Sequence, residues 1–282
     1  MDRAQFIENL QYLKLSETTV QAATVAFDRH KKYYHNLAAK AYDGDIKTFP
    51  IRNARPLDRI VIWGILLSEV KQRYLAHGIP EAVIKDTFDD FALLAGIYEK
   101  ENGKPGLTQG DVSWFRHTYH CHIIKLGSLQ YQLHWMAYPA SWEVMDPALR
   151  DAIPAGTPVI SIHIQAGADM SDSAISDSLA LAKKWIPKYF PEHDAKYFAC
   201  SSWLLYPGMR DLLPDNSKIL SFASRFRLVA GVQNAFASGA VSIIYGKRYQ
   251  RKKDYPQNTS LQKKALDSFS KLGIAFGIIE IS

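Results

Sequence analysis

The apolar residues change their periodicity near a Gly- and Pro-rich segment, "NGKPGLTQGD" at 102–111. Before it, they recur at helical spacing, which predicts long helices over 16–43, 56–77 and 80–102. After it, short β-branched or aromatic runs alternate with helical ones. We therefore predict an α+β protein, with a helical N-terminal domain at 1–105 and a mixed β-sheet domain flanked by helices at 106–282.

In the second domain, helices and strands are predicted from the residue types and the spacing of the apolar residues. The stretch "DVSWFRHTYHCHIIK" at 111–125 predicts a helix. Further helices are predicted over 173–190 and 259–273, and a short one near 207–217. Predicted strands lie at 128–138, 157–165, 196–206, 226–231, 240–246 and 274–281.

Composition is typical of a globular protein, with 47% hydrophobic and 22% charged residues in a chain of 282. Two cysteines, Cys121 and Cys200, are too few for a secreted disulfide scaffold, which favours free thiols and a cytoplasmic location. The longest apolar run, 60–67, is far shorter than the roughly 20 residues that span a bilayer, so no membrane span is predicted.

The net charge is +6, and the densest basic run, "GKRYQRKKD" at 246–254, is typical of a solvated loop or an anion-binding edge. No zinc-finger, RNP or basic-zipper pattern accompanies it, so nucleic acid is not the predicted partner. The segment "HTYHCH" at 117–122 is rich in metal ligands. On a helix only His117 and His120 share a face, so no metal site is predicted. The sequence does not indicate an oligomeric state.

Several stretches resemble one family. They are "LGSLQYQ" at 126–132, "IHIQAGADMSDSAISDSLALA" at 162–182, "FACSSWLLYPGMRDLLPDNSKILSFASRF" at 198–226 and "NTSLQKKALDSFSKLG" at 258–273. In this order they resemble the bacterial acyltransferase-domain proteins, which join an N-acyltransferase N-terminal domain to a GNAT-like C-terminal domain. The resemblance implies a GNAT-like fold after 106, with acyl-CoA or acetyl-CoA as co-substrate and a small-molecule acceptor.

The resemblance also directs attention to the loop after the strand at 157–165. In GNAT folds this loop carries Arg/Gln-x-x-Gly-x-Gly/Ala, and its backbone N–H groups hold the pyrophosphate of CoA. The implied cofactor-binding residues here are Gln165, Ala166, Gly167, Ala168 and, at the helix start, Ser173.

This loop departs from the family pattern, because it is one residue shorter and has one glycine. Asp169 and Asp172 also place negative charge where a pyrophosphate would lie. Basic side chains at Lys247, Arg248 or Arg251 are possible counter-charges. The alternative is an ordinary structural turn, with Asp172 or Ser173 as the helix cap.

Three residues are predicted to carry the chemistry. His163 is the proposed general base, since its ordinary pKa is near neutrality, and a hydrogen-bonded structural histidine is the alternative. Cys200 is a possible nucleophile if His163 lies on a neighbouring strand, and inert packing is the alternative. Tyr206 is the implied acid for the departing thiolate, and a surface tyrosine is the alternative. We expect His163 and Cys200 to line one cleft on adjacent strands.

Two functions follow. The first is acyl transfer from acyl-CoA to a small amine or hydroxyl acceptor by direct attack. The second is a non-catalytic module that binds a metabolite or a protein on the same fold with a degenerate phosphate loop. Nucleic-acid binding through 247–253 is a weaker third hypothesis, and strong salt dependence would be its signature.

Overall fold

The computed structural model describes residues 1–42, 54–236, 239–246 and 251–281. Its contacts divide into two compact units, Met1–Leu126 and Gly127–Ser282. The predicted fold class, a helical part followed by a mixed sheet flanked by helices, is confirmed. In the described ranges, none of the helices combines the length and the apolar character needed to cross a bilayer.

The first unit is built mainly from helices. Their bounds are α1 (Arg3–Tyr12), α2 (Glu17–Ala38), α3 (Pro56–Ala76), α4 (Glu81–Asn102), α5 (Gln109–Trp114) and α6 (Arg116–Tyr119), and one strand follows, β1 (Ile123–Leu126). Ser16 caps α2 by accepting from the Thr19 N–H, and Gly103 ends α4 in the left-handed conformation with φ +65°. The buried rings of Trp63, Phe91 and Phe115 pack together as its core.

The Gly- and Pro-rich segment at 102–111 packs against this unit. The Leu107 N–H donates to the Pro56 carbonyl at 3.1 Å, and the Arg59 guanidinium donates to the Leu107 carbonyl at 2.7 Å. A Cβ at Gly106 would lie 2.5 Å from side-chain atoms of Pro56 and Tyr98. The compact units therefore divide after Leu126, some twenty residues later than the boundary predicted at 105/106.

The helix predicted over 111–125 is wrong in its second half. Two short helices, α5 and α6, are followed by Cys121 at φ +56°, a conformation that cannot continue a helix. The chain then enters β1. The Tyr74 hydroxyl donates to the Ile123 carbonyl at 2.7 Å, and the Lys125 N–H donates to Thr87 Oγ1 at 2.9 Å.

The second unit alternates strands and helices. Its elements are β2 (Leu129–Trp135), β3 (Glu143–Val144), α7 (Pro147–Ala152), β4 (Pro158–His163), α8 (Asp172–Tyr189), β5 (Tyr197–Ser202), α9 (Lys218–Ser224), β6 (Arg227–Val232), α10 (Ala240–Tyr245), α11 (Ser260–Asp267) and β7 (Ile274–Glu280). Short 3₁₀ turns occupy 203–205, 207–211, 252–254 and 269–271. Along the sheet, the strands of this unit follow the order β2-β4-β5-β7-β6-β3.

Strand register assigns side chains to the two faces of the sheet. β2 and β4 are antiparallel, with Tyr131 opposite Ile162. Tyr131 bonds Ser178 of α8 at 2.9 Å and contacts the ring of Phe198, so α8 covers this face. The opposite face contains a separate apolar cluster that includes Val159, Ala199, Phe276 and Ile278, with α7 contributing Leu149.

The strand predicted at 240–246 is wrong, because these residues form helix α10. Gly239 at φ +77° and Gly246 at φ +70° bound it. Ala240, Val241 and Tyr245 are buried in a cluster with α11, at spacings that only a helix brings to one side. Packing therefore overrides the β-branched composition of "AVSIIYG". Helix α11 begins with a reciprocal capping box between Thr259 and Gln262.

Candidate functional site

Strands β4 and β5 are parallel neighbours that pair over a short distance. The registered pairs are Ile160 with Phe198 and Ser161 with Ala199. β4 continues to His163 and β5 to Ser202, but these end residues form no ladder with each other in the described structure. The carboxyl ends of the two strands therefore separate at one edge of the sheet. Such an edge is where open α/β sheets bind ligands.

His163 is the last residue of β4, beside this gap. Its Nε2 lies 2.8 Å from Oε1 of Gln132, a buried side chain on β2. An amide oxygen can only accept, so Nε2 carries the hydrogen and the neutral ring has its basic nitrogen at Nδ1. The bond orients the imidazole beside the end of β4.

Cys200 lies on the other face of the sheet. The two strands are adjacent, as expected, but register places Cys200 with Phe198 under α8, whereas His163 shares a face with Ser161 and Ala199. The expectation that His163 and Cys200 line one cleft is therefore wrong. Burial raises the pKa of the Cys200 thiol to about 12, so the reactive thiolate is absent near neutrality.

Tyr206 follows β5 after the 3₁₀ turn at 203–205 and is half-buried. Its ring packs against the backbone of Gly273, where an added Cβ would lie 2.7 Å from the ring. The close contact holds the phenol in one place. Its role as an acid stays a prediction.

The loop between β4 and α8 forms a turn at the residues predicted to bind a cofactor. The Ala168 N–H donates to the Gln165 carbonyl at 3.2 Å, and Gly167 has φ +80°. A Cβ at Gly167 would meet nothing within 4 Å, so glycine is needed here for its backbone conformation. Ala166 precedes it as the other central residue of the turn.

The cap of α8 is Ser171, whose Oγ accepts from the Ala174 N–H, and not Asp172 or Ser173 as the sequence suggested. The Ser171 N–H is in turn bonded to Asp169 Oδ1 at 2.9 Å. The backbone N–H groups of Gly167, Asp172 and Ser173 form no hydrogen bond with the described residues. They can donate hydrogen bonds to an anion at the positive end of the helix dipole.

The acidic residues of this loop are paired with α9 and the residue that follows it. Lys218 Nζ lies 3.9 Å from Asp169, and Arg225 Nη2 lies 3.1 Å from Asp172. Hydrogen bonds from Ser171 and the nearby Lys218 lower the pKa of Asp169. The hydrogen bond from the Ser221 hydroxyl is the main cause of the lowered pKa of Asp172, and the Arg225 guanidinium lowers it further.

The predicted counter-charges lie elsewhere. Lys247 and Arg248 lie outside the described residues, and Arg251 is bonded to Asp254 at 2.7 Å.

Sequence reasoning missed Gln132, Lys218 and Arg225. Gln130 and Gln132 alternate with Leu129, Tyr131 and Leu133 within β2, a pattern that places the two amides on the same face of the sheet. Lys218 and Arg225 are seven residues apart, which is two helical turns, so they share one side of α9. Both patterns can be recognised in the sequence, but neither identifies the distant residue that each side chain contacts.

The model of the GNAT-like C-terminal domain matches residues 123–278, and that of the N-acyltransferase N-terminal domain matches residues 12–121. No curated protein matches the chain. A solved acyltransferase in complex with decanoyl-CoA and teicoplanin is 21% identical, with a TM-score of 0.74 over 97% of this chain and 86% of that one. An acyltransferase mutant in complex with octanoyl-CoA is 20% identical, with a TM-score of 0.75 over the same shares. These likenesses show a shared fold.

Proposed function

Because the chain belongs to the family of proteins with a GNAT-like C-terminal domain, we propose that it transfers an acyl group from acyl-CoA to a small amine or hydroxyl acceptor. The observation that carries the proposal is the divergence of β4 and β5 after two registered pairs. In the proposal, the thioester lies in the gap between the carboxyl ends of β4 and β5, and its phosphates lie toward the loop that leads from β4 to α8. Neighbours of this fold that hold decanoyl-CoA or octanoyl-CoA support a CoA thioester as the donor.

In the proposed reaction, the acceptor nitrogen or oxygen attacks the thioester carbonyl carbon. Its proton passes to Nδ1 of His163, which Gln132 holds as the basic nitrogen. The carbon–sulfur bond then breaks, and the thiolate of CoA takes a proton from the Tyr206 hydroxyl. No covalent enzyme intermediate is required, which agrees with the burial of Cys200 on the other face.

The proposed contacts of the phosphates are backbone groups. The N–H groups of Asp172 and Ser173 belong to the first turn of a helix of 18 residues, where an anion is stabilised, and that of Gly167 lies in the loop before it. Lys218 and Arg225 neutralise the two carboxylates of the loop, which lowers the repulsion that those carboxylates would exert on a pyrophosphate.

A non-catalytic module that binds a metabolite or a protein on this fold, with a degenerate phosphate loop, is the second proposal. The observation in its favour is the loop itself, which has a single glycine and in which the Ala168 N–H is already bonded to Gln165. Such a turn offers fewer donors than an open phosphate loop, so that affinity and positioning would be weaker.

Two measurements distinguish the enzyme from the module. Calorimetry measures the binding of CoA and acyl-CoAs, and release of the CoA thiol in the presence of amine and hydroxyl acceptors measures turnover. Binding with turnover that falls in His163→Ala at unchanged CoA affinity supports the enzyme. Binding without turnover over the acceptor panel, or no binding of any CoA compound, supports the module and contradicts the enzyme. Turnover with any acceptor in the panel contradicts the module.

A further inference from the structure

A groove of about 460 Å³ lies in the first unit, between α2 and the start of α3. Its floor on α2 is formed by Ala22, Val25 and Ala26, which share one side of the helix at helical spacing. Leu57 and Pro105 complete the apolar lining. Val25 is 53% exposed, so the floor is open to solvent.

Basic side chains border this apolar floor. Arg29, Arg55 and Lys104 line the groove, and Arg29 and Lys104 form no ion pair with any residue that the structure describes. Arg55 is bonded to Asp58 through Nε and Nη2, each at 3.1 Å. The rim therefore has positive charge that the described residues do not compensate.

The carboxylate that pairs with Arg55, that of Asp58, already has its hydrogen-bond partners. Asp58 is buried, and it accepts from the Tyr34 hydroxyl at 2.6 Å and from the Arg55 N–H at 3.0 Å, in addition to the Arg55 guanidinium. It cannot turn toward Arg29 or Lys104 without leaving Tyr34 unpaired. Among the described residues, no carboxylate neutralises Arg29 or Lys104, so that both can meet an external anion.

Helix α2 departs from helical geometry at the same place. His30, which also lines the groove, has φ −135° and ψ 36° within α2. The surrounding sequence, "FDRHKKY" at 27–33, contains neither Pro nor Gly, the usual local causes of a kink. The irregularity therefore lies at a residue that lines the groove.

We propose that this groove binds an aliphatic carboxylate, with the chain on Ala22, Val25 and Pro105 and the head group between Arg29 and Lys104. The lining side chains supply donors and apolar surface, but no carboxylate or amide acceptor. A peptide or a sugar would therefore find no side-chain carboxylate or amide there to accept from its donors. An anion that only accepts, attached to a hydrocarbon chain, satisfies both parts of the lining. This ligand is independent of the acyl-CoA proposed for the second unit.

The test is calorimetry of the full chain with decanoate and decanol, each below its micelle or solubility limit. The wild type should bind decanoate at least tenfold more tightly than decanol, because only the carboxylate meets the cations. The double variant Arg29→Ala/Lys104→Ala should lose at least tenfold in decanoate affinity. Lys32→Ala/Lys100→Ala is the control, since it removes the same charge from exposed positions that do not line the groove.

A second variant tests the floor. Ala26→Trp fills the groove and should abolish decanoate binding, while thermal unfolding shows that the chain still folds. Equal affinity for decanoate and decanol would overturn the proposal. So would unchanged decanoate affinity in the Arg29→Ala/Lys104→Ala protein, or an equal loss in the control.

Discussion

At the scale of single residues, the orientation of His163 by Gln132 is the contact on which the proposed chemistry depends. Gln132→Leu keeps the volume but leaves Nε2–H without its acceptor, so we expect transfer to fall about tenfold or more at unchanged CoA affinity. Gln132→Glu supplies a carboxylate, which favours the protonated imidazole and raises the pKa of His163. The acidic limb of the pH–rate profile should then move to higher pH.

The rate profiles of the wild type and both variants check this. His163→Ala gives the lower limit of the rate, with an expected loss of about 10²- to 10⁴-fold. If Gln132→Glu leaves the acidic limb in place, Gln132 does not act through His163.

Cys200 is expected to be irrelevant to transfer. Its thiol is buried under α8, and its raised pKa keeps it protonated. Cys200→Ala should therefore retain the rate within about twofold, while the cavity lowers the free energy of unfolding by about 1 kcal/mol. Single-turnover kinetics and denaturant unfolding measure the two quantities. Loss of the chemical step in a folded Cys200→Ala protein would restore the covalent mechanism.

At the scale of elements, α9 and α8 are joined by the ion pair of Arg225 with Asp172. Arg225→Ala leaves the carboxylate of Asp172 uncompensated beside the proposed phosphate position, so CoA affinity should fall about threefold to tenfold at low salt and less at high salt. The double variant Arg225→Ala/Asp172→Asn removes the uncompensated charge and should recover most of the affinity. Calorimetry at two ionic strengths measures both effects, and a double variant no better than the single one argues against the charge explanation.

The turn that joins β4 to α8 gives a second prediction for elements. Gly167 has φ +80° with open space around it, so Gly167→Ala is strained by its backbone and should cost about 1 kcal/mol of unfolding free energy. Gly167→Asn should cost less, because Asn tolerates this region. Denaturant unfolding of the wild type and the two variants measures the order of their stabilities. Equal stability of all three proteins would show that the turn adopts another conformation in solution.

At the scale of the whole molecule, the chain forms two compact units, and the segment at which the two domains were predicted to meet, 102–111, lies within the first of them. Gly106 and Leu107 are buried against α3 and α4, so limited proteolysis should not cut first within 102–111. Mass spectrometry of the early fragments tests this. Early cleavage between Asn102 and Asp111 would show that the segment opens readily in solution.

Sequence periodicity was enough to predict an element where the local pattern of the element alone determines its structure. The long helices of the first unit and strands β2, β4 and β7 follow from local pattern, caps and breakers. It failed where distant packing decides: "AVSIIYG" is a helix because α11 buries one side of it, and 123–126 is a strand anchored by Tyr74 and Thr87. The prediction that Cys200 and His163 line one cleft was wrong for the same reason. Alternation within each strand cannot show that their side chains lie on opposite faces of the sheet.

Both cysteines of the chain, Cys121 and Cys200, are buried. A cysteine introduced on the surface would therefore be the one thiol readily open to a maleimide dye. Ser173→Cys, at the exposed start of α8, would place a fluorophore where the cofactor phosphates are proposed to bind. Such a protein would report ligand arrival in real time by a change in emission, and it needs no prior removal of native cysteines.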